Sequence, residues 1–253
     1  MKKFGHTNTQ GKKSKGWGGG KHGGGGNAST ITVALCGNGA VGKTETAFAI
    51  VSQSSEAQKA PAPGNTVTTI GLVTYPITID GMQVKIYDLG GQDGFREIIN
   101  GILHLIDIVM IIVDITRPQE YDFITKYITK YLAKNADKTA NELEKQNGKS
   151  TMLGVSGNTK LRDSALIIAV ANKRDLIESN EELHRNMAKL REVIADAQKK
   201  TALRLSHPVN LYEISATERT NISQLIEVIK EYGRSIESTR TKKKKESSCS
   251  LFK

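Results

Sequence analysis

The eight residues Gly37-Asn38-Gly39-Ala40-Val41-Gly42-Lys43-Thr44 constrain this chain more than any other stretch. They fit the pattern G-x-x-x-x-G-K-[ST]. An apolar run, Ile31 to Cys36, precedes them and reads as a buried strand, and a stretch with helical character follows from Lys43 to about Ser52. Strand before and helix after is the context this pattern needs. Glycines let backbone N–H groups turn inward with no Cβ in the way, and the helix N-terminus adds positive dipole. Such a unit is expected to cradle a polyphosphate, with Lys43 reaching the β- and γ-phosphates and the Thr44 hydroxyl ligating Mg²⁺.

The chain then alternates between strand-like and helix-like segments. Leu72 to Ile79 and Met82 to Asp88 read as two strands joined at Asp80-Gly81, a strong hairpin signal. Ile106 to Val113 and Ala165 to Ala171 are near-continuous aliphatic runs, as buried parallel strands are. Val209 to Ile214 reads as a short strand. Tyr121 to Lys134, Glu181 to about Lys199 and Asn221 to Tyr232 read as helices. In the last of these Ile222, Leu225, Ile226, Ile229 and Tyr232 keep one face apolar, and Asn221 with Gln224 suggests a capping box. Repeated alternation of this kind predicts an open α/β sheet with helices on both faces.

Three further motifs sit just after predicted strands. Asp88-Leu89-Gly90-Gly91-Gln92 offers a strand-terminal Asp for Mg²⁺, a glycine N–H at Gly91 for the γ-phosphate and a Gln to orient an attacking water. Asn172-Lys173-Arg174-Asp175 offers a carboxylate that can accept from guanine N1–H and the exocyclic amine. Adenine would leave that carboxylate unpaired. Asn172 is expected to tie this loop to the Gly-rich loop, and the Lys173 stem to cover the base. Ser215-Ala216-Thr217 can meet guanine O6 with backbone N–H groups.

These four motifs, in this order, resemble the Ras superfamily of small GTPases over roughly Ser29 to Ser238. Thr69-Ile70-Gly71, then a hairpin, then Asp-Leu-Gly-Gly-Gln-Asp looks most like the Arf branch, while the Gly-rich loop looks more like the Rho branch. The resemblance implies a P-loop G domain with a mostly parallel six-stranded sheet, one strand antiparallel. It implies a Mg²⁺-dependent GTP/GDP switch that hydrolyses GTP. Thr69 becomes the switch threonine on Mg²⁺ and the γ-phosphate, with Thr66 and Thr68 as rivals. Residues 55 to 71 become switch I and 90 to about 103 switch II. Lys43, Thr69 and Gln92 become the catalytic set, and Thr44, Thr69 and Asp88 the metal set. An activating protein, an exchange factor and effectors are the implied partners. The alternative is a nucleotide-dependent scaffold with negligible hydrolysis. The step from Thr44 to Thr69 is longer than the family's usual one, so switch I is expected to be unusual.

The net charge of +10 belongs to the ends. Residues 1 to 29 hold six Lys, no acid and ten Gly, and residues 238 to 253 carry +5, which leaves the middle at −1. A groove for nucleic acid on the folded part is therefore not expected. Residues 1 to 29 and 239 to 253 read as disordered basic arms flanking a domain at 30 to 238, with an insertion at about 136 to 163. The arms suit an anionic membrane surface. With Lys at position 2 a myristoyl anchor is not expected, and with Cys249-Ser250-Leu251-Phe252-Lys253 one residue longer than a C-a-a-X box, prenylation is expected only if Lys253 is trimmed. No 18-residue apolar run appears, and Cys36 and Cys249 do not suggest a disulfide. A cytoplasmic protein, peripheral on membrane at most, is the expectation.

Overall fold

The computed structural model describes residues 30–54, 64, 68–91, 102–129, 165–201 and 207–250, with side chains as far as 239. Both basic ends beyond these, the insertion at 136–163, Thr66, Gln92 and Arg96 lie outside the described residues.

Six strands form one sheet in the order β2-β3-β1-β4-β5-β6. They are β1 (Ile31–Cys36), β2 (Leu72–Ile79), β3 (Met82–Leu89), β4 (Ile108–Asp114), β5 (Leu166–Asn172) and β6 (Asn210–Glu213). Every neighbouring pair is parallel except β2 with β3. The hairpin between those two turns at Asp80 and Gly81 with φ of 49° and 80°. Positive φ at both central residues is the turn whose twist matches the flanking strands. Pro76 lies on β2, the outer strand, where a missing ladder donor is tolerated.

The central strands are apolar on both faces because each face is covered. Alternate residues Ile108, Met110 and Ile112 of β4 pack into one core, and Val109, Ile111 and Val113 into the other. The first core is closed by α1 (Lys43–Gln53) and α4 (Ile222–Ser250). The second is closed by α2 (Asp122–Tyr127) and α3 (Asn180–Thr201). On α3 the buried Leu183, Met187, Leu190, Ile194 and Ala197 form one stripe, each large side chain contributing roughly 1.5–3 kcal/mol by leaving water.

Two sequence expectations change. The closing helix does not stop near Tyr232 but runs to Ser250, through the segment expected to be a disordered tail. No Gly or Pro follows Gly233, and Lys, Glu and Arg are good helix formers. Nor does Asn221 cap it: its φ is 61°, outside the extended region a cap needs, and its Nδ2 donates to Glu213 O at 3.1 Å.

From β1 the chain passes through α1 to β2 and β3 on one side, then crosses to β4 on the other. That reversal opens a crevice at the carboxyl ends of β1, β3 and β4, where open α/β sheets take ligands.

Candidate functional site

The loop from Gly37 to Gly42 leaves β1 at this crevice and enters α1. Its close geometry depends on glycine at Gly42, where φ is 91° and an added Cβ would stand 2.3 Å from Asn172 Nδ2. Lys43 is 6% exposed and spans the loop, its Nζ donating to Gly37 O at 3.1 Å and Asn38 O at 2.6 Å. Burial pushes its pKa down, and nearby Asp88 opposes that.

Register brings Asp88 level with Leu35 on β1, just before the loop. Asp88 is fully buried. Its Oδ2 accepts from Thr44 Oγ1 at 2.7 Å and from Thr69 Oγ1 at 2.9 Å, and the two hydroxyls lie 2.8 Å apart. Its Oδ1 has no hydrogen-bond partner among the described residues. Burial pushes the Asp88 carboxyl up, against the two threonines and Lys43. Two hydroxyls and a carboxylate with an orphaned oxygen form an all-oxygen donor set that fits Mg²⁺. Of the candidate threonines Thr69 makes these bonds, while Thr68 lines the cleft beside it. Gly91 lies against the Gly-rich loop so closely that a Cβ there would be 2.6 Å from Gly39 N.

On the other side, Asn172 ends β5 and is 2% exposed. Its Nδ2 donates to Val41 O at 2.9 Å, and its Oδ1 accepts from Ala216 N at 2.9 Å. One side chain thus joins the Gly-rich loop to the loop after β6. Asp175, on the short 3₁₀ turn Arg174–Leu176, accepts from Ser215 Oγ at 2.6 Å. Gly39, Ala40, Gly42, Lys43, Thr44, Thr69, Gly91, Asn172, Lys173, Asp175 and Thr217 all line one cleft of about 660 Å³. That volume is in the range of small-ligand sites.

Sequence reasoning passed over three participants. Asp114, opposite Asn172 at the end of β4, accepts from Lys173 Nζ at 2.7 Å and from Thr116 N and Oγ1 at 3.0 and 2.7 Å. Burial alone would raise the Asp114 pKa, but the Lys173 and Thr116 hydrogen bonds outweigh it and hold the carboxyl below its usual value. An Asp closing an aliphatic strand at the sheet's carboxyl edge was the available signal. Lys173 takes φ of 69°, so its stem leaves the strand direction there. Leu176 is an apolar side chain left 62% exposed at the cleft. Glu45, one residue past Thr44, also lines the cleft and is buried. Cys36 is a core thiol: Tyr127 OH donates to its Sγ at 2.8 Å, and burial pushes it up to about 12.

A family model described as Ras family matches residues 32–234. Among solved structures, the chain is similar to the Arl6 (BBS3) small GTPase from Trypanosoma brucei with bound nucleotide analogue GppNp. The identity is 19%, the match covers 81% of this chain and 98% of that one, and the TM-score is 0.49. No curated protein sequence matches.

Proposed function

Because the chain belongs to the Ras family, we propose that its cleft binds GTP and GDP with Mg²⁺, and that the protein hydrolyses GTP to GDP and phosphate as a molecular switch. The observation that carries this reading is the Asn172 side chain, which locks the phosphate half of the cleft to the base half.

The backbone N–H groups from Asn38 to Thr44 wrap the phosphates, and Lys43 adds a cation already held across the loop. Thr44 and Thr69 would hold Mg²⁺, with Asp88 behind a water, and the ion would supply positive charge to the phosphates. Gly91 N–H meets the γ-phosphate and Gln92 orients the attacking water. Asp175, already fixed by Ser215, accepts from guanine N1–H and the exocyclic amine. With Ser215 N–H given to Thr220 O and Ala216 N–H to Asn172 Oδ1, Thr217 offers the backbone donor to O6, and Lys173, held by Asp114, lays its stem over the base. Regulators and effectors of the kinds the family uses are the partners. The basic ends favour an anionic membrane surface, which liposome flotation would test.

Nucleotide competition tests the reading. GTP should displace a fluorescent GDP at concentrations orders of magnitude below ATP. Asp175→Asn should weaken GDP and favour xanthosine diphosphate, since one acceptor becomes a donor. Equal competition by ATP and GTP would sink the guanine assignment.

A further inference from the structure

Among the described residues, four buried side-chain N and O atoms have no hydrogen-bond partner, and three belong to one facing pair. Glu45 is 5% exposed, and both its carboxylate oxygens are orphaned. Arg219 has an orphaned Nη1, while its Nη2 stands 3.8 Å from Glu45 Oε1. A charge-assisted hydrogen bond would be about 2.7–2.9 Å. A buried carboxylate therefore faces a guanidinium whose side chain is 20% exposed, with their hydrogen bonds not closed. Truncating either would strand the other, which is costly in low dielectric.

The two ends of this pair belong to the two halves of the cleft. Glu45 lies in the first turn of α1, directly after Lys43 and Thr44. Arg219 lies on the tight loop closed by Ser215 N to Thr220 O at 3.2 Å and Thr220 N to Ser215 O at 3.0 Å. Its own φ is 61°, and its carbonyl accepts from Gln53 Nε2 at 3.2 Å, at the far end of α1. That loop begins at Ser215, whose Oγ donates to Asp175. A path of named contacts therefore runs from α1 through Glu45, Arg219 and Ser215 to the carboxylate that reads the base.

We infer that Glu45 and Arg219 form a strut that fixes the base-reading loop against the phosphate-binding helix, and so sets how long nucleotide stays bound and how sharply the base is read. Both are positioning residues, acting through Ser215 and Asp175. Asn172 joins the same halves through the loop before α1, and the strut joins them through the first turn of α1 itself. This rests on the guanine-nucleotide reading above.

The test is a double-mutant cycle on the full chain with Glu45→Gln, Arg219→Gln and the double variant, reading release of fluorescent GDP and of its inosine analogue. At Glu45, Gln keeps the shape and drops the charge; at Arg219, Gln drops the charge and shortens the side chain. Inosine lacks the exocyclic amine, so a displaced Asp175 matters less to it. Each single variant should release GDP about tenfold faster, with a smaller acceleration for inosine diphosphate. The double variant should be no faster than the faster single one. Release within twofold of wild type would overturn the strut, as would additive effects or equal acceleration for both nucleotides. Equal acceleration would mean general loosening of the fold. Wild type that holds no GDP would overturn the nucleotide reading and the strut with it, so the two failures are told apart by the wild-type arm.

Discussion

At Gly42 two constraints coincide: a backbone φ of 91° and a neighbouring amide with no room to spare. Gly42→Ala strains the backbone and displaces Asn172 from Val41 and Ala216. Expected losses are about 2–4 kcal/mol of unfolding free energy and most nucleotide affinity. Urea denaturation with a GDP titration checks this, and a variant within about 0.5 kcal/mol of wild type would contradict it. Asp114→Asn is gentler, since it keeps the shape and removes the charge facing Lys173. It should cost about 1–3 kcal/mol at neutral pH. The Asp114 carboxyl is held below its usual value, so its stabilisation is present above the unfolded pKa of about 3.9. It is lost as pH falls through the folded value. The gap between wild type and variant should hold from about pH 7 to about pH 5 and narrow below about pH 4. A gap unchanged at about pH 3 would mean the charge is not its source. Of these two residues only Gly42 was legible in sequence, because a phosphate loop has a fixed pattern. Asp114 has no spacing rule and becomes visible only when β4 and β5 are in register.

At the element scale, α4 crosses the β2–β3 hairpin at close range. A Cβ on Gly233 would meet Met82 Sδ at 2.4 Å, and Lys230 Nζ reaches Asp80 Oδ2 at 2.9 Å. Gly233→Ala is expected to be near neutral. A helical Ala gains about 1 kcal/mol over Gly, and the thioether can swing aside. Gly233→Val adds branched bulk and should cost about 1–3 kcal/mol. Met82→Ala should relieve part of that cost, so thermal unfolding of the double variant should be less than additive. Strict additivity would show that the two do not press on each other. Strands and hairpin were legible here because aliphatic runs and Asp-Gly turns are local signals. The length of α4 was not, because beyond Ile236 its sequence carries no apolar stripe and only a lack of stop signals speaks for helix. The expected Asn221 cap failed for a tertiary reason, the pull of Glu213 O on its side chain.

For the molecule as a whole, the topology gathers loops from β1, β3, β5 and β6 around one cleft, and each of the four sequence motifs sits on one of them. Motif order therefore named residues that the topology brings to one cleft, while Asp114, Glu45 and Arg219 belong to no motif and become visible only once the loops are packed. What the cleft lacks in sequence bears on rate. No arginine precedes Arg96, so neither the Gly-rich loop nor the stretch to Thr69 brings one to the phosphates. Phosphoryl transfer spreads negative charge over the γ-phosphoryl oxygens, and an arginine is the usual means of stabilising it. Among the described residues there is open space over Gly39, since an added Cβ would meet nothing within 4 Å. A partner's arginine has room to enter there. Intrinsic turnover should then be slow, on the order of 10⁻⁴ to 10⁻³ s⁻¹, and an activating protein should raise it by up to about 10⁵-fold. Gln92→Leu should remove most of the stimulated rate and leave GDP affinity unchanged, because orienting water is separate from holding the ligand. Single-turnover phosphate release with and without the activator measures both. An intrinsic rate near about 1 s⁻¹, or a Gln92→Leu variant stimulated as strongly as wild type, would overturn this mechanism.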